Sequence, residues 1–253
     1  MVKILDCTTR DGGHRLNWDF SKDFVFKLMD CQNNSKIDFY EIGYRNHIDN
    51  ENKGTFYKCN PSLMKEFYEK KGSLKLGIMT DTKRFSLEDF PGVKEDYLDF
   101  IRIASHPDRI GDSLNIAQNL YDRGYRVFLQ LMDISHVSEK EYDILKSWKN
   151  KEIFETIYMA DTYGTINSED LELYFNTLKS IGYNRISFHG HDTTGQAYKN
   201  TIKAIELGVY SVDITLNGIG RGGGNLDAVD FLSKFDGYTP EYYKQLSNLI
   251  AVK

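Results

Sequence analysis

A chain of 253 residues, 40% hydrophobic and 27% charged, suits one large α/β barrel or two smaller domains and is long enough for a sizeable core. A formal charge of −5 and a pI of about 5.7 exclude the basic footprint of a nucleic-acid-binding protein, and no apolar run approaches bilayer length. The first residues lack a signal-peptide layout. Cys7, Cys31 and Cys59 are odd in number and widely spaced, so reduced thiols in a cytoplasmic protein are expected.

Along the chain, short apolar runs rich in β-formers alternate with helical patterns. The runs predict strands at residues 3–9, 39–44, 75–81, 100–105, 126–133, 156–162, 185–192 and 210–217. Between them, residues 21–31 start at a Ser cap and place Phe24, Leu28 and Cys31 at helical spacing. Residues 112–123 carry Leu114, Ala117 and Leu120 and stop at Gly124. A helix opening at Ser168 with acidic residues in its first turn stops at Gly182, and residues 202–207 stop at Gly208. Strict alternation implies parallel pairing with right-handed crossovers, and eight units predict an α/β fold, a single-domain (β/α)8 TIM barrel over residues 1–253. An open doubly wound sheet is the alternative. Residues 46–73 form a longer connection, a candidate cover for the barrel mouth.

In such a barrel the site lies at the C-terminal ends of the strands, where this reading places all six histidines. The stretch Asp6-Cys7-Thr8-Thr9-Arg10-Asp11-Gly12-Gly13-His14 follows the first strand, with two glycines expected to break it. It offers a permanent cation, a carboxylate for a hard metal and an imidazole that titrates near neutrality. His189 and His191 are two apart at a strand end and so point to one face. Two convergent imidazoles with Asp11 nearby suit a divalent ion with open positions: Mn²⁺, Mg²⁺, Co²⁺ or Zn²⁺.

The run Asn217-Gly218-Ile219-Gly220-Arg221-Gly222-Gly223-Gly224-Asn225 contains a formal G-x-G-x-x-G, but too little chain follows its helix, residues 225–235, for a dinucleotide fold. It reads as a tight last loop or a phosphate-holding one, with Asn225 either a helix N-cap or a neutral oxygen ligand. Thr162 reads as part of a turn or as a donor to a substrate carboxylate. Glu41, Tyr44 and Arg45 are similarly placed, with less to mark them.

The residues from Asp6 to Gly12 resemble the D-T-T-L-R-D-G signature of the pyruvate-dependent aldolase and hydroxymethylglutaryl-CoA lyase group of metal-dependent barrels. The H-x-H pair and the Gly-rich loop ending in Asn follow in the group's order. The R-D-G-x-H form resembles the 4-hydroxy-2-oxovalerate aldolases within it. The resemblance implies metal ligation by Asp11, His189 and His191 with Asn225 as a fourth ligand, Mn²⁺ foremost. It also implies that Arg10 steadies an enolate, that His14 is the general base or acid, and that Thr162 contacts substrate where a serine is usual. The implied activity is carbon–carbon lysis or aldol formation with a small 2-oxo acid and an aldehyde. Cys7 and Thr9 depart from the signature. The C-terminal helical domain of those aldolases, which docks an aldehyde dehydrogenase, is not expected here, and neither is that docking. An acyl-CoA condensing synthase or lyase competes, although Gly12 stands where the synthases carry Glu and the Gly-Cys lid of the CoA lyases is absent. A non-catalytic barrel subunit is the third reading; membrane and nucleic-acid partners are not expected, and a homo-oligomer is left open.

Overall fold

The computed structural model describes residues 2–249; the outermost residues of the expected domain lie outside that range. Eight parallel strands close in sequence order: β1 (Lys3–Asp6), β2 (Phe39–Tyr44), β3 (Lys75–Asp81), β4 (Phe100–Ser105), β5 (Arg126–Leu131), β6 (Phe154–Asp161), β7 (Ile186–Gly190) and β8 (Ser211–Ile214). β1 pairs with β8 at Lys3–Ser211 through Asp6–Ile214, sealing the barrel, so the open-sheet alternative falls. The helices are α1 (Thr8–Leu16), α2 (Lys22–Asn34), α3 (Pro61–Tyr68), α4 (Val93–Asp96), α5 (Ile110–Asp122), α6 (Glu139–Ser147), α7 (Ser168–Ser180), α8 (Ala197–Glu206), α9 (Ala228–Leu232) and α10 (Glu241–Leu246). No helix among the described residues is long and apolar enough to cross a membrane.

Caps explain several boundaries. Ser21 accepts from the Phe24 N–H, as its position predicts. α7 is capped by Asn167, which accepts from Glu169 and Asp170, and not by Ser168. Inside the barrel, Leu5, Cys7, Phe39, Phe100, Phe128 and Tyr158 form a buried plug. Thr156, Ser187, Ser211 and the Tyr158 hydroxyl pair with one another in buried hydrogen bonds of 2.7–2.8 Å, so the polar groups at this level satisfy each other.

The stretch after β1 differs from expectation. The strand ends at Asp6, whose Oδ1 accepts the Thr8 N–H at 2.7 Å, and Arg10 to His14 ride on α1, with both glycines inside the helix. Nine residues with two glycines make a poor isolated helix; tertiary contacts hold this one. Thr9 Oγ1 donates to the Ile42 carbonyl, and the Leu216 N–H donates to Thr8 Oγ1. The glycines allow close approach. A Cβ on Gly13 would lie 2.1 Å from the Trp18 ring, which is itself pinned by Nε1 donating to the Arg10 carbonyl at 2.9 Å. Gly13→Ala is therefore expected to destabilise by at least about 1–3 kcal/mol, the usual range for overpacking, as read by urea unfolding; an unchanged midpoint would contradict this packing.

Residues 46–73 supply α3, preceded by a one-turn 3₁₀ helix, Thr55–Tyr57. Gly54 and Phe56 donate their N–H groups to the carbonyls of Asn17 and Trp18, so the segment docks beside the mouth against the end of α1.

Candidate metal centre

α1 brings Arg10, Asp11 and His14 to the mouth, β7 and the residue following it bring His189 and His191, and the Gly-rich loop brings Asn225, which bridges to His191 in antiparallel fashion. Asp11, His189 and His191 are all buried, and one donor atom from each lies within 4.8 Å of the others. Their hydrogen bonds decide which atoms are available. His189 Nδ1 lies 2.8 Å from Asp213 Oδ2, and His191 Nδ1 lies 3.1 Å and 3.2 Å from the carbonyls of Arg221 and Gly224. Carboxylate and carbonyl oxygens accept, so both Nδ1 atoms carry the proton and both Nε2 atoms are bare lone pairs. Those Nε2 atoms face each other at 3.3 Å. Two acceptors beside a carboxylate have no use for one another; a cation satisfies all three.

Beneath them runs a buried ionic chain. Asp11 Oδ1 accepts from Arg10 Nη1 and Glu41 Oε1 from Arg10 Nε, each at 2.5 Å. Arg102 pairs with Glu41 at 2.5 Å and with Asp213 at 2.6 Å, and Asp213 in turn holds His189. This places charge opposite charge where water is excluded, the condition under which buried ions persist. Burial alone would raise the Asp11 carboxyl, but Arg10, then the histidines, hold it well below the usual range. Burial would likewise raise Asp213, and Arg102 with His189 brings it below. Burial lowers His191 and His14 to about 4 each, against the opposing pull of Asp11, so both imidazoles are neutral at pH 7. Two buried polar atoms beside Asp11 lack partners, Arg10 Nη2 and Asn225 Oδ1. Cys7, His189 and Asp213 also cluster, but Arg102 and His189 already occupy Asp213, and burial pushes the Cys7 thiol well above its ordinary value.

Asn225 is not a helix cap: Asp227 caps α9, the shorter helix that stands where residues 225–235 were expected. The Asn225 amide instead donates to Asp11 Oδ2 at 2.5 Å, which leaves Oδ1 over. Gly220 makes room for this, since a Cβ there would lie 2.0 Å from Asn225 Nδ2 and 2.5 Å from Asp11 Oδ2. Thr162 Oγ1 accepts the Asp133 N–H at 2.7 Å, tying two mouth loops together. His47, His106 and His136 stand at the mouth end but are exposed; His47 pairs with Asp89 and His136 with Asp133. Of the residues flagged on β2, Glu41 is central to the ionic chain, Tyr44 lies edge-on to His14 with ring centroids 6.1 Å apart, and Arg45 points away to Asp96. Sequence reasoning missed Arg102 and Asp213. Their signal was a charge within an apolar strand, Phe-Ile-Arg-Ile and Val-Asp-Ile, at a position facing the barrel interior.

Fold and site define a (β/α)8 barrel with a candidate divalent-metal centre at its C-terminal mouth. The HMGL-like family profile matches residues 108–246, and the chain belongs to that family of lyase and aldolase barrels. It is 27% identical over 237 residues to the oxaloacetate decarboxylase of Mycobacterium tuberculosis, covering 88% of this chain and 66% of that protein. It is 25% identical over 234 residues to the 4-hydroxy-2-oxovalerate aldolase of Carboxydothermus hydrogenoformans, covering 88% and 67%. The chain thus spans about two thirds of the length of these curated relatives. Among solved structures, the N-terminal domain of a candidate aldolase from Bacteroides vulgatus superposes with a TM-score of 0.89 at 28% identity, over 98% of this chain and 85% of that one. The HMG-CoA lyase of Brucella melitensis shares the fold, with a TM-score of 0.75 at 13% identity over 98% and 96%.

Proposed function

We propose that the chain is a divalent-metal-dependent carbon–carbon lyase that cleaves or forms a 4-hydroxy-2-oxo acid by way of the enolate of pyruvate. The observation that carries this reading is the pair of bare Nε2 atoms of His189 and His191 facing one another beside Asp11. Asp11, His189 and His191 would hold the ion, and the unpartnered Oδ1 of Asn225 fits a fourth ligand. Mn²⁺ is the ion proposed, from a mixed nitrogen and oxygen donor set. When bound, such an ion supplies Lewis-acid polarisation of a 2-oxo acid.

The chain's own residues do the rest. Arg10, fixed through Nε and Nη1, offers its free Nη2 to the oxygen on which enolate charge develops. In cleavage, neutral His14 takes the proton of the C4 hydroxyl, the C3–C4 bond breaks, and its electron pair passes into the enolate as the aldehyde leaves. A proton returned to C3 then gives pyruvate. Thr162 is proposed to contact the substrate at the rim. The likeness to a protein named oxaloacetate decarboxylase supports a second reading, in which C–C cleavage releases CO₂ and leaves the same enolate.

Metal removal tests the proposal. Chelation is expected to abolish turnover and lower the melting temperature. Adding Mn²⁺ at about a hundred times its Kd should restore roughly 2.7 kcal/mol of stability, because the ion binds only the native state. His191→Ala should lose both responses. A chelated wild-type protein that keeps full activity would rule the metal out.

A further inference from the structure

The Gly-rich loop has a feature that metal binding does not use. Across residues 220–224 the only side chain is that of Arg221. The glycines around it are set by the site: Gly220 lies against Asn225 and Asp11, and Gly222 and Gly224 have φ of 61° and 90°. Arg221 itself touches the centre through its backbone alone, its N–H lying 3.4 Å from Asp11 Oδ2 and its carbonyl 3.1 Å from His191 Nδ1.

Its guanidinium is exposed and has no hydrogen-bond or ion-pair partner among the described residues. The other arginines of the mouth differ: Arg10, Arg84 and Arg102 are each tied to carboxylates. Arg15 donates Nε to the Gly220 carbonyl and Nη2 to the Gly222 carbonyl, both at 2.8 Å. One arginine thus grips the backbone on either side of another. The charge of Arg221 also reaches the neighbouring imidazole, where it is one of the influences lowering His14.

We propose that Arg221 determines specificity by binding a second anionic group, so that the site selects 2-oxo acids with a carboxylate at the end remote from the keto group. This rests on the 2-oxo acid reading above. Arg10 lies buried with Asp11 and serves the 2-oxo acid head; Arg221, exposed and joined to the centre through its backbone, has its planar fork of donors open to a carboxylate. A loop built only to bend beneath the metal would need no side chain there, and an unpaired cation beside a cation-binding centre raises the local positive potential unless an anion joins it.

The test is calorimetric titration of the Mg²⁺-supplemented protein with two acids of equal chain length, 2-oxoglutarate and 2-oxopentanoate, which differ only in the remote carboxylate. Wild type is expected to prefer 2-oxoglutarate by about tenfold or more, the scale of one charge-assisted hydrogen-bonded pair. Arg221→Ala should bring the ratio close to one, and Arg221→Lys should keep part of it, since a point charge replaces the fork. The exposed side chain leaves nothing unpaired when removed, so both variants should melt with the wild type. Equal affinities in wild type, or a preference that survives Arg221→Ala, overturns the inference while leaving the 2-oxo acid site in place. Binding of neither acid sinks that site and this inference together.

Discussion

Arg10→Lys is expected to cut the exchange of pyruvate's methyl hydrogens for deuterium by about 10²–10³-fold, the cost of losing one preorganised donor to a developing oxyanion. The experiment needs only pyruvate, Mn²⁺ and D₂O, because the enolate forms before any aldehyde is required. Arg10 spends Nε on Glu41 and Nη1 on Asp11 and keeps Nη2 free. A lysine has one nitrogen at the end of a flexible stem and cannot serve all three directions. Arg10→Ala should exchange no faster, and should also destabilise by roughly 3–5 kcal/mol because the buried Asp11 loses its cation; Glu41 still has Arg102. The lysine variant therefore separates chemistry from folding. Exchange at the wild-type rate in Arg10→Lys would remove Arg10 from the mechanism. Deuterium entering the methyl group of acetyl-CoA and not pyruvate would favour the condensing synthase.

For His14→Ala, turnover should fall by about 10²–10⁴-fold, the range for removing a general acid–base group, while metal content by atomic absorption stays at the wild-type level. His14 lies on the same helix as Asp11 but 4.0 Å from its carboxylate, and is partly open to solvent; it can lose its ring without emptying the centre. Loss of metal with activity would make it a ligand instead. The pH profile gives a second readout. Burial lowers the imidazole from 6.5 to about 4, so the acid limb of kcat/KM should fall well below pH 6.5 in wild type. The same shifts bear on stability. The unfolded chain takes up protons on His14 and His191 near 6.5, while the native protein resists until about 4. Unfolding thus gains protons in that window, and the metal-free protein loses stability as pH falls through it.

Sequence alone determined the parallel α/β class, with the barrel as its first reading, and picked out most of the residues that the fold gathers at the candidate site. Eight β-rich runs alternating with helical patterns call for parallel strands with crossover helices, and the pairing of β1 with β8 decides for the closed barrel over the open sheet. β2, β3 and β4 begin and end where the pattern places them. Arg10, Asp11, His14, His189 and His191 were legible because few residue types bind metals or move protons, and strand ends are where a barrel uses them. The helical state of residues 8–16, by contrast, came from tertiary structure: with two glycines the segment has little propensity of its own, and Thr8 and Thr9 are held by Leu216 and Ile42 from distant parts of the chain.

The rest of the site was decided in the same way. Six histidines reach the same end of the barrel in sequence, but His47, His106 and His136 stay in solvent, because order along the chain does not say which loops bend inward. Arg102 and Asp213 each read as a single charge in a strand. Only the closed barrel sets them 2.6 Å apart, 111 residues distant in sequence, and so fixes the tautomer of His189. Hydrophobic period and residue chemistry are local and can be read in one dimension. The partner that decides whether a buried charge is a ligand, a counter-ion or a fault is brought up by the fold.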